Sequence, residues 1–149
     1  MFKKKLLGLL TSLLILTSCA KETGVTYTPP PLADEWVVTM VQSGGIMGLQ
    51  RSIRISSDGK YTVVDEMNGK SVNSELSAEN LDGLKNLVAD FSFTAPKAPM
   101  VCADCFIYNV AIQSGGQKMV AEIDDVNMPE TGMGPLVEFL RDLMDSALK

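Results

Sequence analysis

Trp36-Val37-Val38-Thr39-Met40-Val41-Gln42-Ser43-Gly44-Gly45 decides the architecture, because a run of β-formers ends there in a glycine pair that breaks it. The chain resumes from Gly48 to Ile55, where Ile53 and Ile55 alternate with Ser52 and Arg54 in the manner of a half-buried strand. The same plan returns later. Phe106-Ile107-Tyr108-Asn109-Val110-Ala111-Ile112 leads into Gln113-Ser114-Gly115-Gly116, and Met119 to Ile123 reads as the partner strand. Between them, Ser57-Asp58-Gly59-Lys60 and Asn68-Gly69 are turn signals around the strand residues Tyr61-Thr62-Val63-Val64.

Two helices complete the pattern. Ser77 is a good N-cap with Glu79 in the first turn, and Leu81, Leu84, Leu87, Val88 and Phe91 share one face at the helical period. Pro135 opens the last helix, whose inner face is Leu136, Val137, Leu140, Leu143, Met144 and Ala147. These elements predict an α+β fold, an antiparallel β-sheet with two amphipathic helices against it. The repeated Gln-Ser-Gly-Gly further suggests two related β-rich halves, each followed by a helix.

Outside the domain, Lys3, Lys4 and Lys5 precede the short apolar run Leu6 to Leu16, which is too short to span a bilayer. Leu16-Thr17-Ser18-Cys19 then resembles the lipobox of bacterial lipoproteins. The resemblance implies that residues 1–18 are a signal peptide and that Cys19 is the lipidation site. The protein would then sit in the cell envelope, facing outside the cytoplasm. Ala20, not aspartate, follows Cys19, which favours the outer membrane if the cell is Gram-negative. Residues 19–34, with Thr28-Pro29-Pro30-Pro31, read as a flexible proline-rich tether, and residues 35–149 as one globular domain. Losing three lysines moves the net charge from −5 to about −8, so nucleic acid is excluded as a partner and membrane attachment falls to the acyl chains.

Catalytic signals are weak. The chain has no histidine, and neither Ser43 nor Ser114 lies in a G-x-S-x-G elbow. Asp124, Asp125, Asn127 and Glu130 cluster without the spacing of a calcium loop and read as a solvated turn. Cys102 and Cys105 form a C-x-x-C pair whose default reading outside the cytoplasm is a disulfide, a local staple at the start of a strand. A redox or metal-handling role is the alternative, although a strand follows the pair where a thioredoxin-like motif would open a helix. No catalytic residue and no metal site is assigned.

Ile46 and Met47 follow Gly45 at a hairpin tip, where apolar side chains usually avoid water. Either they fold back into the core or they are anchors for a partner. Several motifs together resemble the emfourin family, small protein inhibitors of protealysin and related thermolysin-like zinc metalloproteases. They are Ser43-Gly44-Gly45 with Gly48, the helix Leu81/Leu84 ending near Phe91 and Phe93, Asp104-Cys105-Phe106-Ile107-Tyr108, and the leucine-rich final helix. The family implies an inhibitor without a cofactor whose exposed loops enter the protease cleft. On that resemblance the contact set is Ser43, Gly44, Gly45, Ile46 and Met47, with the glycines permitting close approach to the protease metal. The lipobox and the C-x-x-C pair depart from the family pattern. A structural or assembly role in the envelope is the other function that these features allow.

Overall fold

The computed structural model describes residues 25–96 and 102–149, so Cys19 and the signal segment lie outside the described residues. In chain order the elements are β1 (Thr26–Tyr27), β2 (Trp36–Gly44), β3 (Leu49–Ser56), β4 (Lys60–Asp65), β5 (Lys70–Glu75), α1 (Ala78–Ala89), β6 (Phe93–Thr94), β7 (Phe106–Ser114), β8 (Gln117–Asp124), α2 (Met128–Thr131) and α3 (Gly134–Leu148). Six strands form one antiparallel sheet in the order β5-β4-β3-β2-β7-β8, and β1 pairs separately with β6. The fold is α+β, as the sequence predicts.

Alternation decides which face is covered. Trp36, Val38 and Met40 on β2 are buried with Ile53 and Ile55 on β3, Tyr108, Val110 and Ile112 on β7, and Ala121 and Ile123 on β8. Leu84 and Val88 of α1 and Leu136, Val137, Leu140 and Met144 of α3 close over them in a single core. The opposite face, carrying Val37, Thr39 and Val41, has no helix on it among the described residues and leaves Val41 and Val120 exposed. Ser77 caps α1 by accepting a hydrogen bond from Asn80 N–H at 3.2 Å. Among the described residues no helix is long and apolar enough to cross a membrane.

The two Gln-Ser-Gly-Gly segments both end strands, but they do not superimpose. Met40 faces Val110 at the middle of the β2–β7 ladder, so the local two-fold there exchanges Gln42 with Ile112 and Ser43 with Gln113. The repeat is one residue out of step, and one residue reverses the face. Gln42 is therefore buried whereas Gln113 is exposed. Each β-rich half does end in a helix, but the tetrapeptide marks turns and not a structural repeat.

The expected flexible tether needs correction over its described part. Thr26 and Tyr27 pair with Thr94 and Phe93, and the Tyr27 ring stacks on Phe93 with centroids 6.1 Å apart. Ala95 N–H donates to Val25 O at 3.0 Å. Pro30 is buried, Ser114 Oγ–H donates to Pro31 O at 2.9 Å, and Ala33 N–H donates to Ser114 Oγ at 2.7 Å. Proline allows this docking because it buries an extended backbone without burying an unmet N–H. The folded unit thus already includes Val25, ahead of the expected boundary at 35.

At the β3–β4 turn, Asp58 accepts hydrogen bonds from Lys60 Nζ at 2.8 Å, Lys60 N–H at 3.1 Å and Ser56 Oγ at 2.9 Å. These hold its carboxyl at about 2, with the Lys60 side chain the largest cause. Because the folded value lies below the ordinary 3.8, the stabilisation is complete above that pH and fades as pH falls toward 2. In an NMR titration, Lys60→Met is expected to move the Asp58 midpoint back toward its ordinary value.

Candidate functional site

The hairpin between β2 and β3 is closed by the pair Gly44–Leu49 and by Gly48 N–H donating to Gly45 O at 3.0 Å. Gly44, Gly45 and Gly48 have φ of 98°, 69° and 63°, conformations that turn the chain back within four loop residues. The tip leans on the start of β7. Gly45 N–H donates to Cys105 O at 3.0 Å, and a Cβ on Gly45 would stand 2.7 Å from Phe106 Cε1. A Cβ on Gly44 would overlap the Cys105 carbonyl oxygen. The missing glycine side chains are therefore used inward, against Cys105 and Phe106, and not as an open approach for a metal.

With its glycines held from behind, the tip projects Ile46 at 89 % and Met47 at 80 % exposure. They do not fold back into the core. Ser43 belongs to the strand, pairs with Gln50 and Ile107, and is half-buried. Of the five expected contact residues, only Ile46 and Met47 stand clear of the domain.

Two further apolar side chains occupy the same end of the sheet, Met67 between β4 and β5 and Val126 after β8. At about 4.8 Å between strands, the three tips sit roughly 10 Å apart along the sheet end. Sequence reasoning missed these two, because only strand order places separate loops side by side.

Each neighbouring loop is fastened by a carboxylate. Asp65, 2 % exposed, accepts from Asn68 Nδ2 at 2.9 Å and Asn68 N–H at 3.2 Å, and Arg51 Nε lies 3.4 Å away. The Asn68 side chain, more than any other group, holds the Asp65 carboxyl below the usual range, with Arg51 assisting. Arg51 Nη1 also reaches Asp145 at 3.1 Å. Asp124, 1 % exposed, accepts from Val126 N–H at 2.9 Å, Asn127 N–H at 2.7 Å and Asn127 Nδ2 at 3.1 Å. Asp125 accepts from Phe106 N–H at 3.0 Å and Tyr108 OH at 2.9 Å. Burial, followed by the hydrogen bond to Asp125 and then its charge, pushes the Tyr108 phenol up.

The expectation of a solvated turn is thus corrected at Asp124 alone, since residues 125–127 do form a turn and Asp125 and Glu130 are exposed. Asp124 is buried and holds loop backbone, whereas Asp125 holds the first N–H of β7 and the Tyr108 phenol. Among the described residues, no three His, Cys, Asp or Glu side chains gather as a metal-holding group. Cys102 and Cys105 are joined in a disulfide with Cα atoms 5.5 Å apart, immediately before β7.

Comparison of the sequence with protein-family models and with curated proteins finds no match. The class therefore rests on architecture alone: an α+β domain with one face covered by two long helices and one loop end presenting apolar tips.

Proposed function

We propose that this is a membrane-anchored binding protein, lipidated at Cys19, whose β2–β3 tip docks into the cleft of an extracytoplasmic protein. The observation that carries the reading is the exposure of Ile46 and Met47 on a hairpin braced by Cys105 and Phe106. Exposed apolar residues at a tip are a cost to a free domain, and burying each in a partner would contribute about 1.5–3 kcal/mol. A tip already fixed by hydrogen bonds loses little entropy when it docks.

The partner is proposed as a thermolysin-like zinc metalloprotease, on the resemblance of Ser43-Gly44-Gly45 and the later motifs to emfourin. Such clefts accept an extended segment and offer an apolar pocket beside the zinc, which Ile46 or Met47 would fill. The chain's contribution is occupancy, since the glycines behind the tip are already in contact with their own domain. The double variant Ile46→Asp, Met47→Asp should weaken inhibition of thermolysin by about a hundredfold with the fold intact, because two buried apolar anchors are replaced by charges. An unchanged inhibition constant for a folded variant would refute the loop assignment.

A further inference from the structure

The disulfide and the proposed binding tip touch through one hydrogen bond. Cys105 supplies the carbonyl that Gly45 N–H uses, Phe106 supplies the ring behind Gly45, and Cys105 is also one end of the Cys102–Cys105 bridge. Cys102 is exposed and Cys105 half-exposed, so the bridge lies in a surface segment that an external thiol can approach. It closes a surface loop whose backbone hydrogen bond to another hairpin, among the described residues, is the one at the tip.

We infer that the redox state of Cys102–Cys105 regulates the tip: the disulfide form holds Gly45-Ile46-Met47-Gly48 ready to bind, and the dithiol form releases it. This rests on the reading of the tip as the binding element. The chemistry is ordinary thiol–disulfide exchange with an external dithiol. A thiolate of the reductant attacks one sulfur, the Sγ–Sγ bond breaks, and the second thiol of the reductant displaces the mixed disulfide. Two electrons and two protons pass to Cys102 and Cys105, and the reductant leaves as its own disulfide. With the ring open, Cys102-Ala103-Asp104 gains conformational freedom and Cys105 loses one of the restraints on its backbone, keeping Phe106 at the start of β7. The Cys105 carbonyl then holds Gly45 less firmly, and the tip loses its orientation.

The test needs no partner for its first arm. The full ¹⁵N-labelled chain in detergent is compared before and after dithiothreitol, with reduction confirmed by thiol titration. Gly45 amide exchange is expected to rise roughly tenfold on reduction, while Val110 and Ile112 in the central ladder keep their protection. Unchanged Gly45 exchange in the reduced protein overturns the inference. So does equal loss of protection at Gly45, Val110 and Ile112, which would mean that the bridge supports the whole fold. The second arm measures inhibition of thermolysin by both forms, and a roughly tenfold weakening on reduction is expected. If both forms inhibit equally, the coupling is overturned. If neither inhibits, the choice of protease fails, and Gly45 exchange still decides the coupling. Cys102→Ser with Cys105→Ser should reproduce the reduced state, and direct reduction of the folded chain supplies the answer if that variant does not fold.

Discussion

Leu140→Ala is expected to lower stability by about 3–5 kcal/mol. Leu140 is fully buried on the inner face of α3, between Leu136, Val137 and Met144 along the same stripe. That helix packs against α1 and against β3, β4 and β5, so it is the cover for half of the sheet. The strands below and the packing of α3 on α1 leave little room for collapse, and most of the cavity should persist. Urea unfolding should show a lower midpoint with an unchanged slope. Ile46→Ala is the matching control: at 89 % exposure it should leave the midpoint within error. A loss below about 1 kcal/mol for Leu140→Ala would mean that α3 is not seated as described.

Gly44→Ala is expected to cost about 3–5 kcal/mol through two separate effects. Its φ of 98° lies where an L side chain is strained, and its Cβ would meet a backbone carbonyl at Cys105, which cannot rotate away as a side chain tip could. Relief requires the β2–β7 ladder to open at its Gly44–Phe106 end. The variant should therefore lower the unfolding midpoint and also displace the Gly45 amide resonance. Gly69→Ala tests the argument, because Gly69 also has positive φ but nothing within 4 Å of an added Cβ. It should cost only the conformational part, about 1 kcal/mol. Equal effects at the two positions would show that contact with Cys105 plays no part.

The helices and the two glycine-terminated hairpins were legible because their signals are local. Ser77, the leucine face of α1 and Pro135 carry their meaning within a few residues. Strand β5 was not recognised, since Lys70-Ser71-Val72-Asn73-Ser74-Glu75 is an edge strand exposed along most of its length and shows no alternation. The β1–β6 pair escaped for the opposite reason: two residues make no pattern, and their pairing joins segments far apart in sequence. Gln42 is the sharpest case. Its composition suggested a turn, yet it is buried in a cross-strand row with Arg51 and Tyr108, and its Oε1 meets no donor among the described residues. In the site, exposure of Ile46 and Met47 was one of two readings open from the sequence. Which reading holds depended on Cys105 and Phe106 filling the space behind the glycines, and no local pattern encodes that contact.

The strand order also sets an order of events in time. The meander from β2 to β5 joins neighbours in sequence and can zip up with short loop closures, whereas β2 meets β7 only after α1 and the connection that follows have been laid down. During that interval β2 is a bare sheet edge, apolar on one face and able to recruit any strand that reaches it. Arrival of β7 converts this edge strand of the nascent domain into a central one. The slow step of folding should therefore be docking of the β7–β8 hairpin, and substitutions at Val110 or Ile112 should slow folding more than equally destabilising ones in β4.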